Sequence, residues 1–282
     1  FNPAKSMGNP LYLDSLDQRG YLRKDSVSIG AYQWIRPDSI SVGSSPLLLC
    51  QGDSIIPAIS VFPVYADDTS FSITNLHDTI AFSENGYIHA LAAGNAGIIF
   101  STNEGNESDT MDIVVTGIVG NGTISGDSIV CQGDESVVYQ VTPIENATSY
   151  LWTLPSGTAG SSAGNTIAVD FDLTATSGPI SVIGQNACFN GPGAVFPVSV
   201  NIKPATPIIT LHTDTLVSDA ATGNQWFDDS GPIAGATQQY YIVTENGNYY
   251  VVVSTNGCSS DSSDIISVTN AGINENEIAL TI

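Results

Sequence analysis

The chain has 282 residues, 42% of them hydrophobic, with 28 acidic and six basic side chains and a formal net charge of −22. That length allows two or three domains with cores of their own, and no stretch approaches the roughly 20 apolar residues of a membrane helix. So acidic a surface repels nucleic acid and anionic lipid, which need Lys or Arg to replace counterions at phosphate, so nucleic-acid binding and membrane insertion are not expected.

The basic residues are unevenly placed. Lys5, Arg19, Arg23, Lys24 and Arg36 open the chain, and beyond Pro37 only Lys203 remains. Phe1-Asn2-Pro3 begins in mid-pattern without a charged-then-apolar leader, so the chain reads as a fragment and any export signal is expected upstream. Short runs rich in Val, Ile, Thr, Tyr and Phe then recur between Gly, Asn, Asp, Ser and Pro clusters. In order they include Ile59-Ser-Val-Phe-Pro-Val64, Gly97-Ile-Ile-Phe-Ser-Thr102, Met111-Asp-Ile-Val-Val115, Val137-Val-Tyr-Gln-Val141, Ile180-Ser-Val-Ile183 and Tyr249-Tyr-Val-Val-Val253. Such runs, spaced by roughly 8–12 residues with almost no helical periodicity, predict an all-β chain of sandwiches or barrels.

The sequence also repeats. Leu49-Cys50-Gln51-Gly52-Asp53-Ser54 returns as Val130-Cys131-Gln132-Gly133-Asp134-Glu135. Tyr150-Leu151-Trp152 has a later counterpart in Gln225-Trp226-Phe227. Both spacings are close to the length of a sandwich domain, which implies tandem modules. Boundaries fall near residues 36, 118 and 204, the last at Lys203-Pro204-Ala-Thr-Pro207, and joints this short and Pro-bounded predict a semi-stiff stalk.

Residues 1–36 carry Asn2-Pro3-Ala4, Gly8-Asn9-Pro10, Asp17-Gln-Arg-Gly20-Tyr-Leu-Arg23 and Ile29-Gly30-Ala31-Tyr32. This resembles the closing tail of right-handed parallel β-helix (pectate-lyase-like) exoproteins, with Gln33 where that pattern has Glu. Residues 37–118 resemble a bacterial Ig-like group 2 module through Ser83-Glu-Asn-Gly86-Tyr-Ile-His-Ala90-Leu-Ala-Ala-Gly94-Asn-Ala-Gly97. Residues 119–204 are similar to a PKD-like or Ig-like module, on Cys131, Tyr139, Trp152, Val169-Asp170-Phe171 and Asn186-Ala187-Cys188. Residues 205–269, with Gly223-Asn-Gln-Trp226, Pro232-Ile-Ala-Gly-Ala-Thr237 and Asn246-Gly-Asn-Tyr-Tyr-Val-Val-Val253, resemble the Ig-like module that precedes type IX sorting domains in Bacteroidetes. Gly272-Ile-Asn-Glu-Asn276, within residues 270–282, resembles the lead-in to such a sorting domain. The expected fold is therefore tandem immunoglobulin-like β-sandwiches preceded by the tail of a parallel β-helix.

These resemblances imply a non-catalytic, adhesin-like stalk of a secreted or outer-surface protein, with the sorting machinery as a partner. The alternative is a module that binds a surface glycan or another surface protein, accessory to an upstream polysaccharide-acting β-helix enzyme. Exposed Tyr240, Tyr241, Tyr249 and Tyr250 would favour it. No enzyme site is expected here, since His77, His89 and His212 lie apart and outside any H-E-x-x-H or G-x-S-x-G setting. No cofactor is expected either. Calcium is the candidate cation, because acidic turns supply oxygens at Asp170 and Asp172, Asp228 and Asp229, and Asp261 and Asp264, though none matches an EF-hand loop. Cys131 and Cys188 flank Trp152 as in the Cys…Trp…Cys arrangement of sandwiches, which implies a disulfide between them. Cys50 and Cys258 are left without assigned partners, and Trp152 and Trp226 are expected in cores. Finally, Asp-Ser/Thr-aliphatic triplets recur at Ser15, Ser26, Ser39, Ser54, Thr79, Thr110, Ser128 and Thr215. They resemble the O-glycosylation motif of Bacteroidetes exoproteins, although Asp-Ser/Thr also starts strands after turns.

Overall fold

The computed structural model describes residues 34–269 and Ala271. The β-helix resemblance of residues 1–33, Ser15, Ser26 and the sorting-domain lead-in lie outside the described residues. Every regular element among those described is a strand, and the chain divides into two units. One is Phe1–Ile118 with Asn186–Phe189, and the other is Val119–Gln185 with Asn190–Ile282.

The first unit holds one sandwich. Its strands are β1 (Ser39–Val42), β2 (Leu47–Cys50), β3 (Ser54–Ile55), β4 (Ile59–Phe62), β5 (Phe71–Asn75), β6 (Ala81–Glu84), β7 (Tyr87–Ala90), β8 (Gly94–Thr102) and β9 (Ser108–Thr116). One sheet runs β2-β9-β8-β5, a second β3-β7-β6, and β1 pairs with β4. All these pairings are antiparallel except β2 on β9, which is parallel. The alternation that marks a half-buried strand is plain in β9, where Met111, Ile113 and Val115 turn inward and Thr110 and Asp112 outward. The inward set meets Ile88, Ile98 and Phe100 in one core. Burying each such side chain is worth about 1.5–3 kcal/mol, which is what selects this register.

The second unit holds two sandwiches. The middle one consists of β10 (Ile124–Ser125), β11 (Ile129–Cys131), β12 (Val137–Val141), β13 (Ser149–Thr153), β14 (Thr158–Ala159), β15 (Thr166–Phe171), β16 (Gly178–Gln185) and β17 (Asn190–Asn201). Its sheets are β10-β12-β15-β14 and β11-β17-β16-β13, with β11 again parallel to the last strand. Tyr139 fills the centre, fully buried, with Phe171 and Phe196 against its ring and its hydroxyl donating to the Asp127 carbonyl at 2.9 Å. Trp152, by contrast, is only half-buried, its indole N–H donating to Gly164 O at 3.0 Å. The expectation of a core Trp152 is corrected on this point, because the aromatic place inside is taken by Tyr139.

Burial, reinforced by the charges of Asp127 and then Asp134, pushes the Tyr139 phenol up to about 12. A raised phenol keeps its proton in the folded chain while the unfolded chain ionises near pH 10, so this contribution is intact below about pH 10 and fades as pH climbs toward about 12. Ionisation of Tyr139 is therefore expected to remove on the order of 2 kcal/mol from the middle sandwich across that window. Urea midpoints followed through this alkaline range should decline less steeply in Tyr139→Phe than in the wild type. Equal slopes would refute the assignment.

The third sandwich consists of β18 (Ile209–His212), β19 (Thr215–Ser218), β20 (Asn224–Asp228), β21 (Gly231–Pro232), β22 (Tyr240–Ile242), β23 (Gly247–Thr255), β24 (Cys258–Ser259) and β25 (Ile266–Val268). Its sheets are β18-β19-β22 and β21-β20-β23-β24, with β25 also on β23. Trp226 is fully buried among Leu216, Val243, Tyr249 and Val251, and its indole N–H donates to Gln238 O at 2.9 Å. Between β24 and β25 the ladder is completed by side chains. The hydroxyls of buried Ser260 and Ser263 accept the N–H groups of Val253 and Val251, each at 3.0 Å.

Candidate functional site, two cysteine bridges

The repeated Cys-Gln-Gly-Asp is one turn built twice. The Asp53 carboxylate accepts the N–H of Cys50 at 2.9 Å, and that of Asp134 accepts the N–H of Cys131 at 2.7 Å. Each Asp N–H returns to the Cys carbonyl, at 2.9 and 3.1 Å. Gly52 and Gly133 occupy the third place of the turn at φ +97 and +87, a backbone that side-chain-bearing residues resist. The turn is then tied across the sandwich. Gly52 N–H donates to Ala90 O and Ala90 N–H to Asp53 O, and Phe171 makes the same two bonds with Gly133 and Asp134. On the other side the backbone N–H groups of Gln51 and Gln132 donate to Thr116 O and Asn201 O, both at 2.9 Å. Cys50 and Cys131 thus sit beside Thr116 and Asn201, the residues at which the chain leaves each sandwich.

Their partners are also equivalent. Cys50 bonds to Cys188 and Cys131 to Cys258, with Cα atoms 5.7 Å apart in both bridges. This is an ordinary disulfide separation. Cys188 lies in Asn186–Phe189, the connection between β16 and β17, which goes with the first unit. There the Asn186 side-chain oxygen accepts the N–H groups of Cys188 and Phe189, its amide donates to Gly117 O at 2.8 Å, and Ile118 N–H donates to Gln51 Oε1. Cys258 follows the Asn256-Gly257 turn between β23 and β24, both turn residues at positive φ as a tight hairpin requires. Around it Asn201 Nδ2 donates to Asn256 O at 2.8 Å, and Lys203 Nζ meets Asp261 Oδ1 at 2.7 Å.

The expected Cys131–Cys188 pairing is corrected by these bridges. Cys131 is in register with Asn201, the last residue of β17, whereas Cys188 precedes Asn190, its first. A strand of that length spans roughly 35 Å, far beyond the limit of about 7 Å that a disulfide tolerates between Cα atoms. The corresponding hairpin of the first sandwich, between β8 and β9, has no cysteine. It meets the segment ahead of that sandwich by other means: Trp34 Nε1–H donates to Glu104 Oε2 at 2.9 Å, with Arg36 3.8 Å from the same oxygen.

Five of the six acidic residues weighed for calcium have their carboxylates engaged by other groups of the chain. Asp170 accepts from Ser136 N–H, Asp172 from the N–H and hydroxyl of Thr174, Asp228 from Ser230 N–H, and Asp229 from both nitrogens of Asn248. The Thr174 bonds hold the Asp172 carboxyl below its ordinary value. Asp261 pairs with Lys203, and the Asp264 carbonyl accepts the Ser263 hydroxyl. Among the described residues no group of three or more His, Cys, Asp or Glu is placed to hold a metal ion.

His89 faces Ser54 across β3 and β7, its Nδ1 2.8 Å from Ser54 Oγ, with its ring stacked on Phe82. The four tyrosines do not share a face. Tyr249 is buried and its hydroxyl, raised in pKa chiefly by that burial, donates to Glu245 O. Tyr241 stacks on Trp226, Tyr250 on Phe227, and Tyr240 alone stands exposed. An open hollow of about 440 Å³ is lined by Ile59, Ser60, Val61, Phe62, Val64, Thr69 and Phe71, none of which titrates. Of the described triplet hydroxyl residues, Ser39, Ser54, Thr79, Thr110 and Ser128 are exposed and Thr215 is half-buried.

Residues 118–198 match the family model of a PKD-like domain. Over those residues the middle sandwich is similar to a PKD-like domain. Among solved structures the chain is similar to the I-band fragment I67–I69 from titin, at 14% identity over 83% of this chain and 96% of that one, with a TM-score of 0.40. It is also similar to the ICAM-5 D1–D4 ectodomain fragment (12% identity, 83% and 75% covered, TM-score 0.38) and to domains 5–6 of the S-layer protein SbsC (14%, 59% and 99%, TM-score 0.25). A search of curated proteins finds no match. The sandwiches themselves rest on the strand pairing described above.

Proposed function

We propose that this chain is a non-catalytic stalk of a secreted or outer-surface protein, in which tandem sandwiches carry an upstream domain. The observation that supports this best is the repeated bridge. The same turn presents a cysteine at the exit of two successive sandwiches, and each is oxidised onto a hairpin later in the chain. Two such bridges need an oxidising compartment, because cytosolic thiol buffers keep cysteines reduced. The acidic surface suits that setting by resisting nonspecific adhesion to other polyanions. Among the described residues no helix is long and apolar enough to cross a membrane.

The finer elements of the reading are a β-helix domain ending in residues 1–36, export through a type IX-like pathway with its sorting machinery as partner, and O-glycosylation at the exposed triplets. The test is peptide mass mapping, without reduction, of protein taken from its native host and from each cell fraction. Cys50–Cys188 and Cys131–Cys258 peptides should be found in the surface or secreted fraction, with hexose-type additions on Ser39, Ser54, Thr79, Thr110 or Ser128 peptides. Free thiols in a protein confined to the cell interior would overturn the proposal.

A further inference from the structure

The two bridges interleave: the first cysteine joins the third and the second joins the fourth. This has a topological consequence that neither bridge has alone. Cys50 with Cys188 is one covalent node, and Cys131 with Cys258 is another. These nodes cut the chain between Cys50 and Cys258 into three segments, Cys50 to Cys131, Cys131 to Cys188, and Cys188 to Cys258. The first two make up the 138-residue span of one bridge, and the last two the 127-residue span of the other. Each segment runs from one node to the other. They are therefore connected in parallel, although the sandwiches follow one another in series along the sequence.

We infer that the interleaved bridges make the array an extension limiter. The meaning of this for a stalk rests on the function proposed above, but the mechanical property does not. In an ordinary tandem array tension passes through every module in turn, and the weakest gives first and adds its whole length. Here the nodes cannot separate unless all three segments lengthen together. The first segment carries β3 to β11, the second β12 to β16, and the third β17 to β23. Unravelling the first or the third sandwich alone leaves the distance between nodes still held by the middle one, whose strands β10 to β17 lie in all three segments. When all give way, the shortest segment, Cys131 to Cys188, becomes taut first and stops further extension. At roughly 3.5 Å per residue it reaches about 200 Å, against about 730 Å for the unbridged chain from Cys50 to Cys258.

Pulling single full-length chains from their two ends tests this. Under oxidising conditions the Cys50–Cys258 region should contribute a contour length of about 200 Å, and adding reductant to the same molecules should release about 530 Å more. The paired variants give a distinctive order. C131A/C258A leaves the Cys50–Cys188 shortcut, so only the Cys188–Cys258 segment extends, to about 250 Å. C50A/C188A leaves the other shortcut, and the Cys50–Cys131 segment should extend to about 280 Å. Equal lengths with and without reductant, or stepwise release of separate sandwiches in the oxidised chain, would overturn the inference. If the variants fail to fold, the wild-type comparison before and after reduction still decides. A chain that limits extension in this way but is found inside the cell would refute the stalk reading and leave the limiter standing.

Discussion

Replacing both Cys131 and Cys258 with alanine is expected to destabilise the second unit by about 5 kcal/mol. The bridge closes a span of 127 residues, and the chain-entropy relation assigns a loop of that size about 5 kcal/mol of denatured-state restriction. With Cys50–Cys188 intact the expected effect hardly changes, because that bridge shortens only the first part of the route from Cys131 to Cys258, and the cost grows slowly with length. Alanine rather than serine avoids placing a hydroxyl at Cys258, which is 1% exposed. Urea unfolding followed by the fluorescence of buried Trp226 reads the effect. Under oxidising conditions the wild type should unfold at clearly higher urea than C131A/C258A. With reductant the two should converge, since no bridge is then left in either protein. Coincident midpoints under oxidising conditions would sink the expectation.

The strands are legible in the sequence because their signal is local. Val137-Val-Tyr-Gln-Val141 alternates and lies between turn residues, and β12 covers the same five positions. The Cys-Gln-Gly-Asp repeat is equally local, since its glycine, its Asp cap and its cysteine all act within four residues. The partners of its cysteines are not local. Pairing by the Cys…Trp…Cys pattern assumes that a bridge closes inside one sandwich, and Trp152 between the two cysteines invites that reading. The parallel strand β11 instead places Cys131 at the far end of β17 from Cys188. A usable signal does exist: Cys50 and Cys131 share a motif and are therefore equivalent, which calls for two equivalent partners. Cys188 and Cys258 both stand two residues after an Asn (Asn186 and Asn256), which makes them that second class. Two pairings across the classes remain, and choosing between them requires knowing which end of each sandwich carries which cysteine. That is a property of sheet topology, set by long-range pairing, and it is absent from any short window of sequence. The same limit applies to the aromatics. Sequence marks Tyr240, Tyr241, Tyr249 and Tyr250 as a cluster, while strand alternation sends Tyr249 inward and Tyr250 to the other face of β23.

Trp226→Ala is expected to cost the third sandwich about 3–5 kcal/mol, the range for emptying a buried aromatic site. Three losses add: the indole's buried area, its stack on Tyr241, and the N–H bond to Gln238 O, whose carbonyl is left facing a cavity. Trp152→Ala is the matched control, because that ring is half-buried and its N–H reaches Gly164 O near the surface. Its cost should be less than half as large. Limited proteolysis separates local from global effects. In Trp226→Ala, cuts should concentrate between β18 and β23, within the segment from Cys188 to Cys258. The two pieces of a chain cut once there stay linked through Cys131–Cys258, so a non-reducing gel should show one full-length band and a reducing gel two. A chain that separates into fragments without reductant would mean that the bridges do not pair as described. Equal losses from Trp226→Ala and Trp152→Ala would mean that Trp226 is not the centre of the third core. The two readouts are independent, since one depends on covalent topology and the other on packing. Together they test whether the bridges preserve the connection when a sandwich has lost its fold.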